Sequence, residues 1–463
     1  MSGINGTRIE DVCSVVSVRD RLVFVDKLVS KSELGRIADC VCNVSFPDSI
    51  FLDFQNCIID GSNLELPVFV FRKFVFFSLI NANFFNFSVP IFVSYASESK
   101  IVMNNITIRE GMNDCHEYLF SAKNSHVSIH NFSIQSTLMR YSTIFSFLSC
   151  SISIISFNIS KSVFSDSSVF FCVNNHMEIR EVIIQNSLFN NSFVFDSRSI
   201  NDIILDEVSI DSSNASESSI IMSDFFGTFE VNNVYFKRIT NLSLFKGSFL
   251  ELKVQKLRLQ ECDSSYIVEA LHGKNLYISN VYITRSEISN PIFYLSQIQK
   301  SEIGEINLVS VVCSNAFVTV YNSSSTLHDF RVQLSSFNNS LLVYTISDIK
   351  MTQLFINSTI IYLPIINSIE SDLSIFDSIL LRHNNASLMD EKMIISSKPF
   401  IGRNLSFPQN SSYLNGSSYH IFFINEIEDS PTNNWIILSL MIQILLLLII
   451  CVKVLIIMFR KVR

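Results

Sequence analysis

From Ile101 onward the chain repeats one pattern of apolar and polar positions about every 25 residues. In Leu252-Lys253-Val254-Gln255-Lys256-Leu257-Arg258-Leu259 the apolar residues fall at offsets 0, 2, 5 and 7, so two short alternating runs flank a two-residue polar corner. Repeat starts fall at Ile101, Val127, Ile152, Met177, Ile203, Phe229, Leu252, Leu276, Ser301, Leu327, Ile349 and Leu373. The eleven steps average about 24.7 residues. The units at Ser301, Leu327 and Leu373 each carry one non-apolar residue at an inward position. Two earlier quartets fit the same offsets: Leu52, Phe54, Cys57 and Ile59, and then Phe69, Phe71, Phe74 and Phe76. A third apolar run follows most units, as in Ile144 to Phe147, Val169 to Cys172 and Phe317 to Val320. Offset 1 is mostly polar (Ser128, Ser153, Glu178, Lys253), and this alternation is that of a strand with one buried face.

One 25-residue turn cannot bury its apolar face alone, but stacked turns can. The pattern therefore predicts an all-β protein: a right-handed three-sided parallel β-helix solenoid of about 13 coils, a rod roughly 60 Å long. Asn104, Asn105, Asn131, Asn233 and Asn280 sit at the corner between the first two runs, where asparagine tolerates left-handed backbone. A leucine-rich repeat shares the period. It needs Asn or Cys three residues after its last Leu, and here that position holds Thr137, Ser162, Ser187, Ser213 and Ser286, with Cys262 the one match.

The period sets the boundaries. Residues 1–45 lack it and are expected to form an N-terminal cap, with Ser30-Lys-Ser-Glu33 as a capping box opening a short helix through about Cys40. Residues 46–390 form the β-helix. Residues 391–434 contain Pro399, Pro408 and Pro431 and are expected to be a C-terminal cap or membrane-proximal stalk. Residues 435–459 are predicted to be a transmembrane α-helix, because Ile436 to Val452 carry no charge and 17 to 24 helical residues cross a bilayer core of roughly 30 Å. Trp435 is placed as an interfacial aromatic, and Lys453 is placed to snorkel.

Residues 460–463 form a short tail with Arg460, Lys461 and Arg463, whereas Glu426, Glu428 and Asp429 precede the span. The positive-inside bias places the tail in the cytoplasm and the body outside, a single-pass type I plasma-membrane protein. No apolar signal core is visible at Met1. That leaves two readings: a start upstream of Met1, or a tail-anchored intracellular scaffold. The sequons favour the first. Asn-x-Ser/Thr occurs at Asn5, Asn43, Asn86, Asn105, Asn131, Asn158, Asn190, Asn214, Asn241, Asn322, Asn338, Asn357, Asn385, Asn404, Asn410 and Asn415, against about seven by chance.

Composition adds constraints. The chain has 41 Phe but only 11 Gly and 8 Pro, which favours strands over disorder. A net charge of −8 argues against nucleic acid as a partner. Ten cysteines at irregular spacing give no disulfide framework or metal pattern, so most are expected to be small buried hydrophobes. No cofactor or metal is implied. No Asp-Asp pair, Gly-His-Gly, Walker loop, HExxH or G-x-S-x-G is present. Asp206 with Glu207, or Glu302 with Glu305, are the carboxylate pairs a glycoside-cleaving alternative requires. The expectation is a protein that is not an enzyme.

One outward face stands out. Tyr235, Arg258 and Tyr282 share offset 6 on consecutive coils, and Lys253 and Tyr277 share offset 1 beside them. An arginine between aromatic faces gains roughly 0.5–2 kcal/mol, and exposed Tyr and Arg suit interfaces and sugars. These five residues are the candidate binding face.

The Phe/Asn/Ser-rich coils, the lack of enzyme motifs and the single C-terminal apolar span with its basic tail resemble a known group. These are the membrane-anchored parallel β-helix surface proteins of parasitic protists such as trichomonads, which are pectin-lyase-like and similar to polymorphic membrane proteins. The resemblance is one of architecture and covers about residues 50–459. It implies a glycosylated cell-surface protein for display or adhesion, with an extracellular protein or glycan as ligand. The alternatives are a polysaccharide-active β-helix lyase or hydrolase, and the tail-anchored scaffold.

Overall fold

The computed structural model describes residues 98–109, 118–264, 266–361 and 365–382 almost without interruption. It also describes shorter segments at 21–25, 28–29, 50–55, 58–60, 69–71, 75–85, 91–94, 112–113, 394–396, 401–406 and 422–423. The expected helix at 30–40 and the expected span at 435–459 lie outside these residues. Among the described residues no helix is long and apolar enough to cross a membrane.

The described chain is an all-β parallel β-solenoid of about 11 turns. Each turn contributes to three parallel ladders. The first joins Lys100–Arg109, His126–Gln135, Ser151–Ser160, His176–Gln185 and Asp202–Asp211. The second joins the three-residue strands Leu138–Arg140, Val163–Ser165 and Leu188–Asn190, which the apolar pattern did not reveal. The third joins Tyr118–Lys123, Thr143–Leu148, Ser168–Val173 and Phe193–Ser197. Arg21–Val25 also pairs in parallel, Leu22 opposite Leu52.

The offset pattern corresponds to one strand with a bend inside it. Offset 4 holds the bend, with positive φ at Asn105, Asn131, Ser156, Glu181, Glu207, Asn233, Lys256 and Asn280. Asn104 does not share this conformation: the tight residue is the second of the corner pair. Asparagine is common there because its short amide suits left-handed backbone and also stacks. Asn131 Nδ2 donates to Asn105 Oδ1 at 3.0 Å, and Asn105 Nδ2 donates to Asn81 Oδ1 at 2.8 Å.

Two expected registers are corrected. The second quartet is Phe77, Leu79, Ala82 and Phe84, all buried, because Phe77 pairs with Leu52 and Ile101. Phe69 to Phe71 belongs to the third ladder and pairs with Phe92 to Ser94. Near the other end the unit starts at Ser325, two residues before Leu327: Ser325 pairs with Ser301, and Ser325, Leu327, Phe330 and Val332 point inward. The hydroxyl hid this unit from a search for apolar residues.

Phenylalanine fills the core as columns. Phe120, Phe145, Phe170 and Phe195 are register partners, with ring centroids 5.2, 4.9 and 5.0 Å apart and nearly parallel planes. Parallel stacking of turns puts identical positions about 4.8 Å apart, near the preferred spacing of offset-stacked rings. Serine finishes the turns. Ser162 Oγ donates to Ser160 O and accepts the Thr137 amide of the preceding turn. Ser187 and Ser213 continue the column, and Ser167, Ser192 and Ser218 form a second. Each hydroxyl satisfies a buried amide that the ladders leave unpaired, so the corners turn without glycine. Cys150, Cys172, Cys262 and Cys313 are buried free thiols in the same interior.

Candidate ligand-binding surface

The solenoid presents its outward side chains in columns that follow the ladder register. Tyr235 is opposite Arg258, and Arg258 is opposite Tyr282. Lys253 is opposite Tyr277. The bend at Lys256, φ 55°, separates the two columns, so the five residues fall into two sets on either side of a corner.

In the first set, Tyr235 donates its hydroxyl to Gln260 Oε1 of the next turn at 2.8 Å. Tyr282 is exposed, at 45 %. Arg258 is exposed, and among the described residues no ion pair, hydrogen bond or ring contact holds it. The cation–π contacts among the described residues include Lys100 over Phe76, Lys300 over Tyr277 and Lys350 over Phe376.

In the second set, Lys253 Nζ pairs with Glu251 Oε1 at 2.8 Å, and that hydrogen bond holds the ammonium above its ordinary range. Tyr277 lies under Lys300 Nζ, 6.0 Å from the ring centroid. Lys253 and Tyr277 share a shallow groove of about 240 Å³ with Gln255, Ser279, Glu302 and His328. The His328 ring lies directly against Gly304, where a Cβ would come within 2.0 Å of it. His328 Nε2 is 3.5 Å from Glu302 Oε1, and Nδ1 is 3.3 Å from Asp329 Oδ2.

The sequon asparagines lie along the rod. Asn105, Asn131, Asn190, Asn214, Asn241, Asn322 and Asn338 are exposed, and Asn158 and Asn357 are half-buried. The side chains of Asn5, Asn43, Asn86, Asn385, Asn404, Asn410 and Asn415 lie outside the described residues. Of the carboxylate pairs, Asp206 accepts Asn233 Nδ2 at 2.7 Å, and Glu207 and Glu305 occupy left-handed corners. Among the described residues no group of three His, Cys, Asp or Glu is arranged to hold a metal.

A second groove, of about 370 Å³, has no counterpart in the sequence pattern. One column runs Tyr118, Thr143, Ser168, Phe193, so two small side chains separate two aromatics. The corner column beside it holds Tyr141, Asp166 and Asn191, with φ of 50°, 48° and 43°. Asn191 Nδ2 donates to Asp166 Oδ1 at 2.8 Å. Tyr118 leans across the small residues to Phe171, ring centroids 6.1 Å apart. At the far end Arg198 Nε lies 2.6 Å from Asp196 Oδ1, and the same guanidinium contacts Asp224. Burial pushes the Asp196 carboxyl up, and the Arg198 charge opposes that shift.

No family model and no curated protein matches the chain. Solved structures similar to it include PfbA, a surface adhesin of Streptococcus pneumoniae. That match is 12% identical, covers 75% of this chain and 93% of that one, and has a TM-score of 0.23. Another is the A-module of the mannuronan C-5 epimerase AlgE6 of Azotobacter vinelandii, 6% identical, covering 84% of this chain and 100% of that one, with a TM-score of 0.19.

Proposed function

We propose that the protein is a cell-surface, membrane-anchored glycoprotein whose β-solenoid body serves display or adhesion, binding host or matrix ligands, and that it is not an enzyme. In this reading the body is a right-handed three-sided β-helix of about 13 coils over residues 46–390. Residues 1–45 cap it and 391–434 join it to a span at 435–459, with residues 460–463 in the cytoplasm. Its partners are the membrane and an extracellular protein or glycan, and it needs no cofactor. Tyr235, Arg258 and Tyr282, with Lys253 and Tyr277 around the corner, are its first candidate contacts.

The observation that carries the reading is the exposure of the sequons. Asn105, Asn131, Asn190, Asn214, Asn241, Asn322 and Asn338 all reach solvent at different heights of the rod. An asparagine must be accessible to carry a glycan. Arg258 supports the adhesive part, because a guanidinium with no partner among the described residues has its donor set free for a ligand.

The test is topology. The chain is expressed with a C-terminal epitope tag and stained on intact and permeabilised cells. The reading expects antibody to the solenoid to label intact cells and antibody to the tag to label only permeabilised ones. Solenoid labelling that needs permeabilisation overturns the surface assignment and favours the tail-anchored scaffold.

A further inference from the structure

We infer that the groove between Tyr118 and Phe193 is a binding site for a neutral oligosaccharide. This deepens the adhesion reading and rests on it for its biological setting, but the groove lies on different turns from the Tyr235–Arg258–Tyr282 column.

The groove is defined by its shape. On the third ladder the column Tyr118, Thr143, Ser168, Phe193 is bulky, small, small, bulky. Successive turns stand about 4.8 Å apart, so the backbones of Tyr118 and Phe193 are about 14 Å apart along the rod, and the Tyr118 ring leans over part of the floor toward Phe171. The floor between them is made of hydroxyl-bearing residues, and Thr143 Oγ1 and Ser168 Oγ lie 2.9 Å apart. A stiff parallel ladder holds the floor, so little order has to be gained on binding.

The walls give the chemistry. Tyr118 and Tyr141 are 40 % and 56 % exposed, while most of the described phenylalanine rings are in the core. Tyr118 and Phe171 form a tilted pair, interplanar angle 36°. Exposed aromatic faces beside fixed polar groups suit a ligand with apolar C–H faces and a hydroxyl rim, which is the surface of a pyranose. The fixed polar groups are present. Asp166 and Asn191 are locked to each other at the corner, with carboxylate and amide atoms left for vicinal hydroxyls. Left-handed backbone at Tyr141, Asp166 and Asn191 puts all three side chains on one outward edge.

Charge selects the ligand. The groove and its end hold Asp166, Asp196 and Asp224 against one cation, Arg198, and both Asp196 and Asp224 engage that guanidinium. Among the groove's lining residues and Asp224 at its end, an acidic sugar meets three carboxylates and one guanidinium that two of them already engage, so uronates and sialylated glycans are disfavoured. A neutral sugar gains the stacking and the hydroxyl bonds without that repulsion.

The experiment uses the detergent-solubilised full-length chain carrying Asn190→Gln, which keeps the chain's own glycan off the groove rim beside Asn191. The probes are immobilised gluco-, galacto-, manno- and xylo-oligosaccharides, with polygalacturonate and sialyllactose as acidic comparators. The expected result is binding to at least one neutral series, weakened at least tenfold by Tyr118→Ala/Tyr141→Ala and unchanged by Leu334→Ala, an exposed side chain on distant turns. Both tyrosines are exposed, so retained β-type circular dichroism in the double variant shows that folding is intact. Binding to no neutral series, preference for the acidic comparators, or a loss smaller than tenfold overturns the proposal. Cell-surface topology is read separately, so failure of the glycan site leaves the adhesion reading standing.

Discussion

Ser301 and Ser325 face each other across adjacent turns inside the rod, at offset 0 where other units carry Ile, Val, Leu, Met or Phe, and their hydroxyls are hydrogen-bonded. Ser301 Oγ also donates to Ser324 O at 3.2 Å. Removing one member of a buried polar pair strands the other, whereas removing both avoids that cost. Ser325→Ala is expected to lower stability by about 1 kcal/mol, and Ser301→Ala/Ser325→Ala by less than the two single changes together. Denaturant midpoints of the three variants check this. Additive losses contradict it.

The bend at offset 4 makes a second prediction. Glu181 has φ 59° and an exposed side chain. Asparagine holds this conformation cheaply, while a β-branched residue does not. Glu181→Val is expected to cost about 1–2 kcal/mol, and Glu181→Asn close to nothing. Equal midpoints for Val and Asn would show that the corner is not conformationally strained.

Arg238 grips Asp211 with both oxygens, Nη2 at 2.8 Å from each and Nε at 3.1 Å from Oδ1. Partial burial pushes the Asp211 carboxyl up, but the hydrogen bonds from Arg238 and Ser212, with the Arg238 charge, outweigh it and hold the carboxyl below its usual range. A carboxyl depressed on folding contributes stability above its unfolded pKa of about 3.9 and loses it as pH falls through the lower folded value. The pair is partly solvated, so the effect is below about 1 kcal/mol. Arg238→Gln is expected to fall short of the native chain at pH 7, with the gap closing as the pH drops below the ordinary aspartate range. A gap that persists at low pH assigns the loss to packing.

Burial pushes the thiols of Cys150, Cys172, Cys262 and Cys313 up. Thiolate is the reactive form, so these four should resist iodoacetamide at pH 8 in the native chain and react once it is unfolded. Mass spectrometry of peptides labelled before and after denaturation checks this. Rapid native labelling of Cys172 contradicts its place in the core.

Much of the fold was legible because its signal is local and repeated. The offsets at Leu252, Val254, Leu257 and Leu259 describe inward positions, and all four are buried. The reading slipped where apolar character and inward direction part company. Phe69 and Phe71 carry the right residue types but lie on the third ladder. Ser325 points inward with a hydroxyl, and its partner lies 24 residues away. The outward site was less legible. Register correctly aligned Tyr235, Arg258 and Tyr282, but no spacing rule says where a side chain leans. The Tyr118 groove comes from four turns and two columns, and its defining feature is the smallness of Thr143 and Ser168. A search for conspicuous residues passes over such a gap.

The central claim is a glycosylated body outside the cell, and enzymatic removal of N-glycans tests it most directly. Full-length chain from a eukaryotic host is treated with peptide-N-glycosidase and compared with untreated chain by electrophoresis. The account predicts a mobility shift of several glycans, reduced stepwise by Asn→Gln changes at Asn105, Asn131, Asn214 and Asn322. A single unshifted band from chain in the membrane fraction contradicts it.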